Sequence, residues 1–440
     1  MSAPPADAAW TVPPAGAVPA PTLLDRAVPA LIGAVFLLFF IGLSPFTDLA
    51  DKQLLELVQA SDALANAIFI AASAIGLGLV AVRDPRGLLA LARPPLVLLV
   101  GWLAFTAIVS PDAASAIRRL VFALITLSLA AVVPLLVRDL RQFAGLLLFG
   151  AGVTVALSWS GAVLAPDLAI HQLTDVGEAN LAGAWRGVYS HKNGAGAMMV
   201  VFVFVGLYVA RARSLGAGLL LAVGAGVFLP LTQAKSALAL CVAILVVSTL
   251  VARARSLRTR ALLVFVPFVL LNALSVGTVI SPALQQIVLM LPIDPTFTGR
   301  TEVWEIATAA VASKPVLGHG FQTFWGSAAV VFGSEDATSW AETASTSHNA
   351  HLEIALSAGL PGLALMLFAL CWLPLRDFHE RRRDDGAGDA FALLCLRLWL
   401  FGLYLASFEA FILNRADSVW FAMALGLCGL RYASAFRLRA

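Results

Sequence analysis

Long apolar runs dominate this chain, and their residues do not alternate between apolar and polar positions. Runs of roughly 17–23 apolar residues are long enough to cross a hydrocarbon core of about 30 Å. The absence of a period-two pattern predicts helices rather than the strands of a barrel. We predict about twelve membrane-spanning helices, near residues 27–43, 62–82, 95–110, 117–137, 142–165, 194–210, 215–231, 236–251, 261–280, 354–375, 388–408 and 411–430.

Composition agrees with an all-α, polytopic membrane protein and excludes a soluble domain. Of the 440 residues, 60% are hydrophobic and 12% are charged, whereas a soluble domain carries about 25% charged residues. The four cysteines fall inside apolar runs, so we expect packing roles, with no disulfide and no thiolate metal site. Residues 1–26 are rich in Ala and Pro, which predicts a disordered tail.

Basic residues set the orientation, because Lys and Arg accumulate in cytoplasmic loops. With a cytoplasmic N-terminus, most of the 29 Lys and Arg residues fall on the cytoplasmic side. Both termini are then cytoplasmic, with spans one to nine at 27–280, a long periplasmic loop at 281–353, and the last three spans and a tail at 354–440. The basic residues behind this assignment are Arg26, Arg83, Arg86, Arg93, Arg138, Arg141, Arg211, Arg213, Arg253, Arg255, Arg258, Arg260, Arg376, Arg381, Arg382, Arg383, Arg431, Arg437 and Arg439.

Other cations break this rule, because they lie in spans or on the outer face, where a charge calls for its own explanation. Arg397 lies in the middle of a predicted span, and Arg415 lies near the outer end of the last one. For both we expect a structural ion pair, with Glu409 or Asp417 as candidate partners.

The long periplasmic loop carries the segment GRTEVW at 299–304. Thr301 suits a helix N-cap and Glu302 suits the first turn, so Arg300 is expected just before a helix N-terminus. An Arg beside free N–H groups forms an anion site, above all for phosphate. The alternative is an exposed Arg paired with Glu302 or with a loop carbonyl, and the residues alone leave both open.

The same loop ends in S-H-N-A-H-L-E at 347–353, where the chain re-enters the membrane as a helix. His348 at this interface is a candidate general base near neutral pH; the alternative is a His that caps the helix. His348, His351 and Glu353 have the spacing H-x-x-H-x-E, which does not place two His on one helical face. We therefore expect no metal site here.

Two further outer segments carry cations. Arg186, His191 and Lys192 lie close together before a helix that starts with small residues, and Lys235 lies at the outer junction between two spans. Headgroup binding is the alternative for the first three, and Lys235 either snorkels or faces a cavity. With Arg300 and His348, these residues predict a phosphorylated, anionic ligand held at the outer leaflet.

Together the motifs resemble the O-antigen ligase and O-antigen polymerase superfamily. They are GRTEVW, P-V-L-G-H-G-F at 315–321, and S-H-N-A-H-L-E followed by G-L-P-G at 359–362. The resemblance implies a glycosyltransferase C-like fold, whose long periplasmic loop contains short helices, in the bacterial inner membrane. It also implies a metal-independent, inverting glycosyltransferase with no cofactor, which moves a glycan from undecaprenyl diphosphate to an acceptor on the periplasmic face.

The resemblance also assigns roles to residues. His348 and Arg300 become the catalytic residues, and the diphosphate-binding residues become Lys235, Arg186, Lys192, His191 and Asn349. Lys235 stands where the family has an Arg, so the charge is kept and the bidentate fork is lost. S-H-K-N at 190–193 and A-K-S at 234–236 look more like exopolysaccharide polymerases of the succinoglycan type than lipopolysaccharide ligases.

The expected partners are an undecaprenyl-diphosphate-linked glycan donor, an acceptor and membrane lipid, with no nucleic acid. A ligase would use lipid A-core as its acceptor, and a polymerase would use a growing glycan; the sequence leaves both open. A secondary transporter is the alternative from another class, and twelve spans fit it. Transporters, however, place coupling charges near the membrane midplane on broken helices, whereas these cations lie at the outer edge.

Overall fold

The computed structural model describes residues 23–51, 62–83, 85–176, 178–325, 344–382 and 386–436. Within these ranges the regular secondary structure is helical, apart from an isolated β-bridge between Ile170 and Trp185. The predicted disordered tail at 1–26 lies outside the described residues as far as residue 22, and the first helix begins at Leu23. Among the basic residues that set the orientation, Arg383, Arg437 and Arg439 also lie outside these ranges.

The first half of the chain forms the helices up to the first long loop, and it includes that loop. These are α1 (Leu23–Phe40), α2 (Asp62–Arg83), α3 (Arg86–Leu91), α4 (Pro94–Ile108), α5 (Ala113–Leu136), α6 (Leu140–Leu164) and α7 (Pro166–Ala169). A short 3-10 turn, Ala179–Leu181, follows α7 within the loop.

The second half contains the remaining helices and the long loop that lies between α11 and α15. They are α8 (Lys192–Ala212), α9 (Leu215–Leu231), α10 (Lys235–Arg253), α11 (Leu257–Ala273), α12 (Gly277–Ile280), α13 (Pro282–Leu289), α14 (Arg300–Ser313), α15 (Ala350–Met366), α16 (Leu373–Glu380), α17 (Ala387–Leu405) and α18 (Ser418–Ala435). A π-helical turn, Leu367–Trp372, joins α15 directly to α16.

Each of the twelve predicted spans contains a helix of this structure. By length and composition, seven helices of the described residues can cross a membrane, including the 31-residue segment Ala350–Glu380. Three shorter apolar helices, Ala27–Phe40, Pro94–Ile108 and Leu215–Leu231, accompany them. The chain is therefore a polytopic helical membrane protein, and the total of twelve spans stays a prediction.

The main core is built around α8 and α17, whose apolar windows are 78% buried, whereas α2 is only 22% buried. The pair α8 and α9 packs most closely, because glycines line both sides of the contact. A Cβ at Gly206 would lie 2.6 Å from the backbone nitrogen of Ala222, and one at Gly218 would overlap Ala210. Small residues let helix backbones approach in this way in lipid, where packing drives association.

A second, smaller apolar cluster joins α14 of the long loop to the start of α15. It consists of Val303, Trp304, Ala307, Phe324, Trp325, Leu352 and Leu356. Trp304 is fully buried, and its indole N–H donates to the carbonyl of Ser347 at 3.0 Å. This cluster carries Arg300, at the start of α14, to the same end of the molecule as His348.

The P-V-L-G-H-G turn is fastened to α15 by a break in that helix. Gly359 has φ 69° and ψ −178°, a conformation almost confined to glycine, so Leu360 donates its N–H to Pro315 instead of completing the helix (2.8 Å). Pro361 has no N–H, which leaves the carbonyl of Ser357 to accept from Gly320 at 3.1 Å. The motif glycines and proline thus hold the long loop against the helix that follows His348.

Candidate active site

One carboxylate connects three segments that are far apart in the sequence. Glu409 lies between α17 and α18, and its Oε1 accepts from Arg300 Nη2 at 2.9 Å and from Asn193 Nδ2 at 3.2 Å. Its Oε2 lies 3.4 Å from His348 Nδ1. The side chains of Arg300, His348 and Glu409 are 16%, 29% and 27% exposed, so all three can be reached from solvent. The two residues predicted to be catalytic therefore share one carboxylate.

Arg300 is held by a tightly wound turn in front of α14. Phe297, Thr298 and Gly299 all have left-handed backbones, with φ of 49°, 61° and 83°. The carboxylate of Asp294 stabilises this turn by accepting from the backbone N–H groups of Thr296 (2.9 Å) and Thr298 (2.8 Å). Left-handed non-glycine residues are uncommon, and they persist where the surroundings fix them.

The prediction that Thr301 caps this helix is wrong. The N-cap is Gly299, the helix begins at Arg300, and Thr301 lies in the first turn. The physical reason is the left-handed turn, which brings the backbone N–H of Thr301 to the carbonyl of Thr296 at 3.3 Å before the helix starts. Arg300 accordingly lies at the first helical position, and its ion pair is with Glu409.

His348 is fixed through its two neighbours in the chain. Its own backbone is left-handed, with φ 49°. On one side, the N–H of Ser347 donates to Glu353 Oε2 at 2.9 Å, and the indole of Trp325 donates to the same oxygen at 3.0 Å. On the other side, Asn349 is tied to the loop that carries Glu409.

Both polar atoms of the Asn349 side chain form hydrogen bonds within the protein. Its Oδ1 accepts from the N–H of Leu352 at 2.9 Å, which makes it the N-cap of α15. Its Nδ2 donates to the carbonyl of Ser407 at 3.0 Å and to Asn272 Oδ1 at 3.3 Å. Because Ser407 is two residues before Glu409 and Asn349 follows His348, these bonds set the spacing between His348 and Glu409.

The S-H-K-N segment enters the site through Asn193. His191 caps α8, since its Nδ1 accepts from the N–H of Asn193 at 3.0 Å. Burial, together with the neighbouring His171, lowers the pKa of His191 to about 4. His191 is therefore neutral at neutral pH, and it orients Asn193 toward Glu409 without contributing a charge.

A buried histidine that sequence reasoning missed supports the same helix start. His171 is 1% exposed, and its Nε2 accepts from the N–H of Lys192 at 3.2 Å. That acceptor role places the proton on Nδ1, which donates to Asp175 Oδ2 at 2.8 Å. Burial lowers the pKa of His171, as expected for a neutral imidazole that accepts from the backbone. His171 and Asp175 thus hold the first turn of α8 in place.

The two lysines lie on neighbouring helix starts. Lys192 begins α8 and Lys235 begins α10, and the two charges are within electrostatic reach of each other. The starts of these helices are closely packed, because a Cβ at Gly196 would lie 2.5 Å from the Cβ of Ala234. Lys235 is exposed and Lys192 is half-buried, so the pair forms a positive surface beside Asn193.

Arg186, one of the predicted ligand residues, has a fully enclosed side chain. It is 0% exposed, and it donates to the carbonyls of Tyr189 at 3.1 Å and Thr47 at 2.9 Å. These bonds join the first long outer loop to the segment after α1. The structure does not bring Arg186 into contact with Arg300, His348 or Glu409.

The H-x-x-H-x-E residues do not converge on one point. The ring of His351 packs edge-on against Phe268, with 5.0 Å between ring centroids, while Glu353 binds the N–H groups of Ser347 and Trp325. Among the described residues, no group of three or more His, Cys, Asp or Glu side chains is arranged to hold a metal ion.

The expected pairing of Glu409 with Arg397 or Arg415 is wrong. Arg397 Nε donates to Ser248 Oγ at 3.2 Å, and Arg415 Nη1 donates to Asn66 Oδ1 at 3.2 Å. The reason is geometric: Glu409 lies between α17 and α18 beside Arg300, whereas Arg397 lies in the middle of α17. Glu409 is thus the central residue of the site, and the sequence offered it only as a structural partner.

Comparison with known families gives a match over part of the chain. Residues 220–367 match the family described as O-antigen ligase. The chain is therefore similar to this family over about a third of its length. The match confirms the resemblance drawn from the motifs, and it includes Lys235, Arg300 and His348. Glu409 and the S-H-K-N segment of this membrane protein lie outside the matched O-antigen ligase region. A search among curated proteins found no match.

Proposed function

We propose that the chain is an inverting, metal-independent glycosyltransferase of the bacterial inner membrane. It moves a glycan from undecaprenyl diphosphate to an acceptor hydroxyl, which belongs to lipid A-core or to a growing polysaccharide, on the periplasmic face. The observation that carries this proposal is the carboxylate of Glu409, shared by Arg300 at 2.9 Å and His348 at 3.4 Å. It joins a phosphate-binding type of side chain to a proton-accepting one, and both of these side chains belong to the segment that matches the O-antigen ligase family.

His348 is assigned the role of general base. Its Nδ1 faces Glu409, so the nitrogen assigned to the acceptor hydroxyl is Nε2. A carboxylate behind an imidazole fixes the tautomer and stabilises the imidazolium that forms when the proton is taken. General base catalysis of this kind contributes about 10²–10⁴-fold to the rate.

Arg300, Lys192 and Lys235 are assigned to the donor diphosphate. In the reaction, the acceptor oxygen forms a bond to the anomeric carbon while the bond from that carbon to the diphosphate oxygen breaks. The electron pair leaves with the diphosphate, whose growing negative charge is stabilised by the cations. Because diphosphate leaves as an anion, no general acid is required. Lys235 supplies charge without the bidentate fork of an Arg.

Three residues of the predicted diphosphate-binding set receive structural roles in this proposal. Arg186 is enclosed and bonded to two carbonyls, and Asn349 caps α15 and binds Ser407. His191 caps α8 and is neutral, since its pKa is lowered to about 4 by burial and by His171. They hold Asn193, His348 and Glu409 in position for the residues that contact substrate.

The test uses purified protein in liposomes with a lipid-linked glycan donor. His348→Ala is expected to lower glycan transfer by about 10²–10⁴-fold. Arg300→Ala removes a contact to developing charge, which costs about 3–4 kcal/mol in the barrier. Lys314→Ala is the matched control, because Lys314 is an exposed cation at the other end of α14. Full transfer by well-folded His348→Ala and Arg300→Ala proteins would contradict the proposal.

The choice between ligase and polymerase concerns the acceptor. S-H-K-N at 190–193 and A-K-S at 234–236 favour a polymerase of the exopolysaccharide type. In a deletion strain, collapse of the glycan ladder to one repeat indicates a polymerase, whereas long, unattached lipid-linked glycan indicates a ligase. The same liposomes also test the transporter alternative, which predicts solute uptake without glycan transfer.

A further inference from the structure

We propose that Glu409 is a positioning residue that changes partners during the reaction. Before the donor binds, Glu409 forms an ion pair with Arg300. Once Arg300 binds the diphosphate instead, the carboxylate of Glu409 interacts with His348 without that competing cation. Donor binding would in this way make His348 a competent base. This inference rests on the proposed function and extends it to the order of events at the site.

The distances indicate that Arg300 binds the carboxylate of Glu409 more strongly than His348 does. Arg300 Nη2 lies 2.9 Å from Oε1, the length of a strong charge-assisted bond, whereas His348 Nδ1 lies 3.4 Å from Oε2. A hydrogen bond of 3.4 Å is long, and catalytic hydrogen bonds commonly tighten only when substrate is bound. The two contacts use different oxygens, so releasing Arg300 does not remove the contact to His348.

The charges around Glu409 favour the transfer of Arg300 from this carboxylate to the diphosphate. Burial acts to raise the pKa of Glu409, but the hydrogen bond to His348 and the positive charge of Arg300 outweigh it, so the pKa is lowered. The charged or titratable groups that face Glu409 are Arg300 from α14, His348 before α15, His191 before α8 and Asp417 before α18. An ionised Glu409 repels a diphosphate and competes with it for Arg300.

Asn193 provides an anchor that stays in place. Its Nδ2 donates to Oε1 at 3.2 Å, the same oxygen that Arg300 binds. When Arg300 turns to phosphate, this amide still fixes the carboxylate, and the full negative charge then acts on the imidazole. Because Arg300 shares the carboxylate until the donor binds, Glu409 gives its full support to proton transfer from the acceptor hydroxyl to His348 when a donor is present.

The test compares donor-site affinity with turnover in Glu409→Gln, using undecaprenyl diphosphate itself as the binding probe. Loss of the competing charge is expected to tighten its binding by about fivefold or more. Turnover is expected to fall by roughly 10²–10⁴-fold, because the imidazole loses its charged partner. A residue with a merely structural role would weaken both. Unchanged or weaker binding, or wild-type turnover, would overturn the inference.

Asp417→Asn is the matched control from the same loop. Asp417 caps α18 through the N–H groups of Val419 and Trp420, both at 2.8 Å, and Asn caps a helix equally well. If this variant also binds undecaprenyl diphosphate more tightly, the effect belongs to the loop's general charge and the inference fails. If Glu409→Gln does not fold, Glu409→Met keeps the side-chain volume and is judged by the same outcomes.

The failure of this inference is distinguishable from failure of the proposed function. Full glycan transfer by His348→Ala and Arg300→Ala would contradict the proposed function, whatever the result for Glu409→Gln. If Glu409→Gln binds the donor more weakly and His348→Ala is inactive, only the proposed change of partners at Glu409 is contradicted.

Discussion

Replacing Asn349 separates its structural role from the diphosphate-binding role that the family resemblance gave it. In the structure its oxygen caps α15, and its amide donates to Ser407 and Asn272. Asn349→Ala removes all three bonds at a side chain that is 1% exposed. The variant should therefore lose stability and the alignment of His348 with Glu409, with little direct effect on donor binding.

The expected loss can be worked out from these bonds. An N-cap contributes about 1 kcal/mol, and each of the two amide hydrogen bonds contributes about 1 kcal/mol. Asn349→Ala should then destabilise the protein by about 3 kcal/mol. Asn349→Ser keeps an oxygen that can cap the helix and lacks the amide donors, so about 2 kcal/mol is expected. With an unfolding entropy of about 2.1 cal/mol/K per residue, a chain of 440 residues shifts by about 1 °C per kcal/mol, so the Ala variant should unfold about 3 °C lower.

The assay pairs thermal unfolding in detergent, at one scan rate, with glycan transfer in liposomes. We expect the unfolding temperature to fall in the order wild type, Ser variant, Ala variant. Turnover should fall with it, while the donor KM changes little. An unchanged unfolding temperature together with a raised donor KM would refute this reasoning, because it would mean that the amide of Asn349 contacts the diphosphate.

Two further predictions concern glycine and histidine positions. Gly359→Ala should lower the unfolding temperature, because the φ of Gly359 is 69° and a Cβ would overlap Val316. Gly152→Ala is the control and should leave the unfolding temperature unchanged, because a Cβ there would meet open space. Equal effects of the two substitutions would contradict the role of the turn. Burial, aided by His171, lowers the pKa of His191 from 6.5 to about 4. In the pH window between these two values, the unfolded chain therefore binds a proton that the folded chain does not. The unfolding temperature should therefore fall as pH drops through it; His191→Asn, which still caps α8, should flatten this dependence, and parallel curves would count against it.

Much of the fold could be predicted from the sequence, because lipid imposes strict rules on it. Apolar runs must be helical, and helices occur in each of the twelve predicted segments. Short-range details were less predictable. The cap at Gly299 depends on three successive left-handed residues, and Phe297 and Thr298 do not favour that conformation by themselves. Tertiary packing of α14 against α15, with Trp304 at its centre, accounts for such a turn.

The candidate site was predictable for the residues that lie in motifs and unpredictable for those that lie between helices. Arg300 and His348 stood out as an outer-face cation and an interfacial imidazole, and both contact Glu409. Arg186 stood out for the same reason, yet it is enclosed and bonded to carbonyls. Charge on the outer face identifies residues that need partners. It does not tell whether the partner is a ligand or the protein's own backbone.

Glu409 was hard to assign because its partners are 61, 109 and 216 residues away. Contacts at such separations follow from helix packing, and no local pattern encodes them. A usable signal nevertheless exists, because a carboxylate in an outer loop that lies close to a surplus of cations must pair with one of them. The mid-span Arg397 is an unsuitable partner by depth, whereas Arg300 lies in an outer loop like Glu409 itself. Sorting charged residues by membrane depth before pairing them would therefore have favoured Arg300 as the partner of Glu409.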